Sequence, residues 1–168
     1  MNKKLFIICP FSNLEQFLRN KFGFDSFFIS APAGMIPTDD NQSLENLKMA
    51  IMANCINEVY IVNEVSNPLI LSLIREEGKK DILFLNQVAE LREEFWLKRL
   101  AGLSQSQQAL KMAELVNEKS IELLESYLNF KSVEEAKSIT LRGLVISNNS
   151  GFIKESRKMN RYKIAYGL

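Results

Sequence analysis

Glu58–Pro68 reads EVYIVNEVSNP, and the rest of the chain takes its place around it. Val59, Tyr60, Ile61 and Val62 form a β-branched and aromatic run without a polar break, the pattern of a buried parallel strand. Asn63-Glu64-Val65-Ser66-Asn67 follows as a polar turn, and Pro68 closes it by fixing its own φ at the start of a new helix. In open α/β sheets ligands bind beyond the carboxyl ends of the strands, which puts a site at this turn. The turn contains neither histidine nor cysteine, and the whole chain contains no histidine. The place for a site is therefore clear, while an obvious metal chemistry there is missing.

Outward from that stretch the chain alternates. Toward the N-terminus, Leu44, Leu47, Ala50 and Ile51 mark a helix that runs to about Asn54. Ahead of it the loop APAGMIPTDD, with two prolines and a glycine, reads as irregular. Ser26–Ile29 is a strand, and Leu14, Phe17 and Leu18 form a helical stripe stopped by Gly23. Ser12-Asn13-Leu14-Glu15 has a capping-box pattern at that helix start. Leu5–Cys9, apolar throughout, is a central first strand. Strand, helix, strand, loop, helix, strand implies a parallel sheet with right-handed crossovers.

Toward the C-terminus, Leu69–Ile74 is a short helix, and Ile82–Leu85 is either an extra strand or the first turn of a helix Val88–Leu100 ended by Gly102. Ser104–Leu128 is a long helix whose broad apolar stripe is a core face. Ser132–Ala136 is a further short helix, Ile139–Ile146 a strand, Asn148–Gly151 a hairpin turn and Phe152-Ile153 its return. Lys154–Lys163 is a basic tail with one acidic residue and no aromatic platform beyond Tyr162, a solvated or partner-facing segment rather than a nucleic-acid surface.

At 168 residues, 46% hydrophobic and 24% charged, the chain reads as one globular domain over residues 1–168. A net charge of +1 favours neither nucleic acid nor an anionic membrane. Cys9 and Cys55 are too few for a disulfide scaffold and fit a reducing cytoplasm. The start MNKKLFIICPF imitates a secretion signal, but its apolar run is too short and Ile8 is too bulky for a cleavage site. No apolar segment approaches the ~20 residues of a transmembrane helix.

Taken in order, these segments resemble a β-class carbonic anhydrase. Arg142–Gly151, RGLVISNNSG, is similar to that family's H-G-W-V-Y-D-x-x-T-G strand and turn, with Gly143, Val145 and Gly151 kept and Ser150 for threonine. Ser120–Leu128 followed by SVEEA is similar to the N-V-x-x-x-V-x-x-L helix and the P-x-V-x-E-A helix. Leu47–Glu64 lines up without gaps on L-E-Y-A-V-x-x-L-x-V-x-x-I-V-V-x-G-H. Cys9–Asn13 occupies the place of C-x-D-S-R, and SAPAGMIP that of R-N-A-G-N-x-x-P. Each motif is weak alone; their order and spacing over nearly the whole chain carry the likeness.

The resemblance implies a zinc held by two cysteines and a histidine, with an aspartate–arginine pair controlling its fourth position. Carried over residue by residue, only Cys9 survives. Glu64 stands for the histidine, Asn67 for the second cysteine, Phe11 for the aspartate and Asn13 for its arginine; the arginine of R-N-A-G falls at Ser30. A thiolate, a carboxylate and an amide make a poor zinc site. The expectation is a pocket lined by Cys9, Ser12, Ser30, Glu64 and Asn67, without metal or other cofactor, in a catalytically silent protein serving as a binding, regulatory or structural module. The alternatives are an enzyme using Glu64 as base or Cys9 as nucleophile, and a residual carbonate dehydratase. The small-molecule ligand is not specified by the sequence. The resemblance also implies a homodimer, although the first strand begins at about Lys4 and leaves no room for the family's wrapping N-terminal helices. Cys9 and Cys55 are expected at opposite ends of the sheet.

Overall fold

The computed structural model describes residues 3–36, 41–75, 100–128, 139–147 and 151–156. Five strands form one sheet in the order β2-β1-β3-β4-β5: β1 Lys3–Ile8, β2 Ser26–Ser30, β3 Ile56–Glu64, β4 Thr140–Ser147 and β5 Phe152–Ser156. The first four are parallel and β5 returns antiparallel to β4. β1 lies between β2 and β3, as its unbroken apolar sequence requires for a strand covered on both faces. Among the described residues the α-helices are α1 Glu15–Phe22, α2 Asn41–Ala53, α3 Pro68–Arg75 and α4 Gln105–Tyr127.

Alternation along the strands divides the core. Leu5, Ile7, Val59 and Ile61 point to one face, where Leu44, Leu47 and Ile51 of α2 and Ile121 and Leu124 of α4 cover them. Phe6, Ile8, Tyr60, Val62, Leu144 and Ile146 point to the other, against Leu14 and Leu18 at α1. Phe6 stacks between Phe28 and Tyr60, with centroid separations of 5.5 and 4.9 Å. Tyr60 is pushed up to about 12 by burial and by its hydrogen bond, 2.8 Å, to the Glu58 carboxylate.

The structure corrects several local expectations. β3 begins at Ile56 and continues through Asn63 and Glu64, which pair with Val145 and Ile146; the turn is confined to Val65 and Ser66. Pairing with β4 alone extends β3 past Val62, where the ladder with β1 has already ended. α1 has no capping box: the Ser12 hydroxyl donates to the Cys9 carbonyl at 2.7 Å and leaves the helix end without a side-chain cap. The Pro/Gly loop contains a 3-10 turn, Pro32–Gly34. β5 runs to Ser156, so Lys154 and Glu155 belong to a strand rather than to a tail. The capping box that does form is at α4, where Ser104 and Gln107 satisfy each other's backbone N–H groups. Asp39–Asp40, Ile82–Leu85, the helix expected at Val88–Leu100 up to residue 99, Ser132–Ala136, Asn148–Ser150 and the tail after Ser156 lie outside the described residues.

Candidate functional site

The carboxyl ends of β1 and β3 meet at the change of strand order, and the candidate residues gather there. Cys9, directly after β1, is fully buried, and its thiol lies 3.7 Å from Asn67 Oδ1. Asn67 is also fully buried; its Oδ1 accepts from the Leu69 N–H at 3.0 Å, capping α3, and its Nδ2 donates to Asn63 Oδ1 at 3.5 Å. Asn63 Nδ2 donates to the Ala33 carbonyl at 2.7 Å and to Asn117 Oδ1 at 2.9 Å. Asn117 Nδ2 then reaches the Leu144 carbonyl at 3.0 Å and Ser156 Oγ at 3.2 Å. A chain of neutral groups thus runs from Cys9 through three buried amides to the far strand, β5.

Two glycines make room for it. Gly34 has φ +70, and a Cβ there would stand 3.0 Å from Ile61 Cγ2 and 3.3 Å from Asn63 Nδ2. A Cβ on Gly143 would collide with Ser156 Oγ and press on Asn117 at 3.1 Å. Gly143 was legible as a motif residue; its physical role is to let α4 and β5 close on β4.

Two of the five candidates, Cys9 and Ser30, line one cleft among the described residues. A cleft of about 430 Å³ opens beside α1 and is lined by Ile8, Cys9, Pro10, Asn13, Arg19 and Ser30, among others. It brings Cys9 and exposed Ser30 together. Ser12 is buried in the turn after β1. Asn67 faces the amide chain, and Glu64 ends β3 at 8% exposure. Among the described residues no hydrogen bond or ion pair engages the Glu64 carboxylate. Phe11 is 62% exposed and fills no cleft. Cys55 precedes β3, beside the start of β1, at the opposite end of the sheet from Cys9. Asn63, Asn117 and Arg19 were not singled out from the sequence. The signal for Asn117 was there: it sits among Ala113, Val116, Ser120, Ile121 and Leu124, at core positions of α4.

A parallel 2-1-3-4 sheet closed by an antiparallel fifth strand is shared with solved structures. The β-carbonic anhydrase CafA of Aspergillus fumigatus superposes with a TM-score of 0.77 at 21% identity, over 95% of this chain and 77% of that one. The fold is that of the β-carbonic anhydrases. A tetrameric β-carbonic anhydrase of Sordaria macrospora gives 0.78 at 15% identity over 92% and 80% of the two chains. The Coccomyxa β-carbonic anhydrase in complex with acetazolamide gives 0.75 at 18% over 92% and 71%. No protein-family profile and no curated protein sequence matches the chain. Against this carbonic anhydrase framework, among the described residues no three Cys, Asp or Glu side chains converge as metal ligands. No helix among them is long and apolar enough to cross a membrane.

Proposed function

We propose that this chain is a carbonic-anhydrase-like protein that does not hydrate carbon dioxide through zinc and serves as a binding, regulatory or structural module. One observation carries the reading: Asn67, at the position the resemblance gives to a zinc-binding cysteine, is already engaged through both ends of its amide. Its oxygen holds α3 and faces the Cys9 thiol, and its nitrogen joins the buried amide chain. An amide oxygen is a hard, weak ligand, and zinc would have to take it from a helix cap. Histidine, the remaining ligand type of such sites, is absent from the chain. The donor set does not fit zinc.

The double substitution Glu64→His with Asn67→Cys tests this directly. It rebuilds the ligand types while Phe11 and Asn13 still lack the aspartate–arginine pair. The expected result is a variant that binds zinc yet hydrates carbon dioxide no faster than the unmodified protein. Hydration by the unmodified protein, abolished by Cys9→Ser, would overturn the proposal.

A homodimer is part of the same reading. β2 is an edge strand, and its sequence SFFIS contains no charge and no proline, the usual protections of an edge against pairing. Phe27, Phe28 and Ile29 are only partly buried within the single chain. Sedimentation at micromolar concentration should give twice the 19.3 kDa mass of one chain; a purely monomeric boundary would refute the dimer. Two unpaired cysteines, one exposed, agree with a reducing compartment such as the cytoplasm.

A second reading has its own observation. Glu64, at 8% exposure, has no hydrogen-bond or ion-pair partner among the described residues, so nothing there occupies its carboxylate oxygens. On that reading the protein is an enzyme of other chemistry. Glu64→Gln would then abolish turnover of a responsive substrate while leaving the melting temperature unchanged.

A further inference from the structure

The cleft beside α1 contains an arrangement that the amide chain does not use. Arg19 is fixed from three sides: its Nη1 donates to the Phe24 carbonyl at 3.1 Å and the Ser26 carbonyl at 3.4 Å, and its guanidinium lies 4.6 Å from the centre of the Phe28 ring. Among the described residues nothing accepts from Nε or Nη2, and neither is shut off from solvent. A guanidinium has five N–H donors in a planar fork, so a preorganised part of that fork remains available at the cleft.

Glu15 lines the same cleft one helical turn earlier. Side chains four residues apart on a helix face each other across roughly 5–6 Å between Cβ atoms, the spacing at which glutamate and arginine ordinarily pair. Here Glu15 and Arg19 form no ion pair with each other. Arg19 is instead held back against Phe28 and the carbonyls after α1, leaving two opposite charges apart on the wall of one cavity. Pro10 adds an exposed apolar surface, and Ser30 an exposed hydroxyl.

The geometry points to a binding site for a small zwitterion of the α-amino acid class with an apolar side chain. Its carboxylate takes the free N–H groups of Arg19, its ammonium takes Glu15, and its side chain lies on Pro10. A carboxylate and an ammonium on one carbon bridge two opposite charges that do not pair with each other here. A plain anion would satisfy Arg19 but face Glu15 unpaired, and a plain cation would do the reverse. The cavity, about 430 Å³, lies in the range of small-molecule sites. This site rests on the reading that no metal occupies the Cys9 end of the cleft.

Three probes separate the terms: leucine, 4-methylpentanoate, which lacks the ammonium, and 3-methylbutylamine, which lacks the carboxylate. Each is titrated into the full chain and followed by the backbone amide signals of Asn13 and Ser30. Leucine should saturate with a Kd at least tenfold below either analogue. Glu15→Gln, at an exposed helix position, should weaken leucine and tighten 4-methylpentanoate, closing the gap between the two. Arg19→Lys should weaken leucine and 4-methylpentanoate together. Equal affinity for leucine and 4-methylpentanoate, or no saturable shift with leucine, overturns the zwitterion site. Zinc in the purified protein would instead refute the functional reading above, whatever leucine does.

Discussion

Asn67 does three things at once: it caps α3, it stands against the Cys9 thiol, and it passes a hydrogen bond to Asn63. Asn67 ahead of Pro68 reads from the sequence as a turn residue or a helix cap, and the structure makes it the cap, its Oδ1 taking the Leu69 N–H. The chain of amides beyond it was not legible. Asn63 read as a turn residue because the apolar run stops at Val62, and only pairing with β4 shows that the strand continues. The central member, Asn117, connects α4 to β3, β4 and β5. Asn117→Ala leaves the Leu144 carbonyl and an Asn63 N–H without that partner in the dry core, at a cost of about 1–3 kcal/mol for each buried group left unsatisfied. Urea unfolding should show the loss; a midpoint equal to that of the unmodified protein would mean that the amides are not coupled as described. Tyr60 supplies a pH test. Its folded-state value, about 12, lies above the ordinary 10.0, so the folded chain holds this proton more tightly than the unfolded one. That stability is fully present below pH 10 and declines as pH rises through about 12, and Tyr60→Phe should flatten the decline in that window.

At the scale of elements, hydrophobic period fixed β1, β3 and α4 because each has a dry environment to match: two covered faces for the strands, one wide core stripe for the helix. Where a polar contact decides the geometry, local pattern misled. Ser12 and Glu15 have the spacing of a capping box, but the hydroxyl turns back to Cys9 in the tight turn that ends β1. At Ser104, where no cap was read, the same spacing does form a capping box with Gln107. The basic residue Lys154 likewise belongs to an element, because it reaches Glu114 of α4 at 2.5 Å while Lys111 holds the other oxygen at 2.8 Å. Desolvation pushes the Glu114 carboxyl up, and the hydrogen bonds from Lys111 and Lys154 outweigh it, leaving the group below its ordinary 4.5. Its contribution is present above pH 4.5 and is lost as pH falls through the lower folded-state value. Unfolding of Glu114→Gln should lose less stability than the unmodified protein on acidification below pH 4.5; parallel acid profiles would contradict the clamp between α4 and β5.

At the scale of the molecule, strand order and direction reproduce the β-carbonic anhydrase sheet at 15–21% identity. Those strands are held by apolar pairs that many sequences satisfy, whereas a zinc site tolerates few donors. Fold and chemistry can therefore part company in one chain. The order of weak motifs was enough to read the sheet, because parallel strands at this spacing admit few connections. It did not show how the site is connected: Asn67 is taken up by the buried amide chain, while Cys9 and Ser30 line an open cleft. The most direct test of the central claim is the metal content of the protein purified from zinc-replete medium, measured by elemental mass spectrometry. The account predicts less than about 0.1 zinc per chain and no change in melting temperature on chelation, since only a bound metal would add its binding free energy to folding. One zinc per chain, lost in Cys9→Ser, would contradict it.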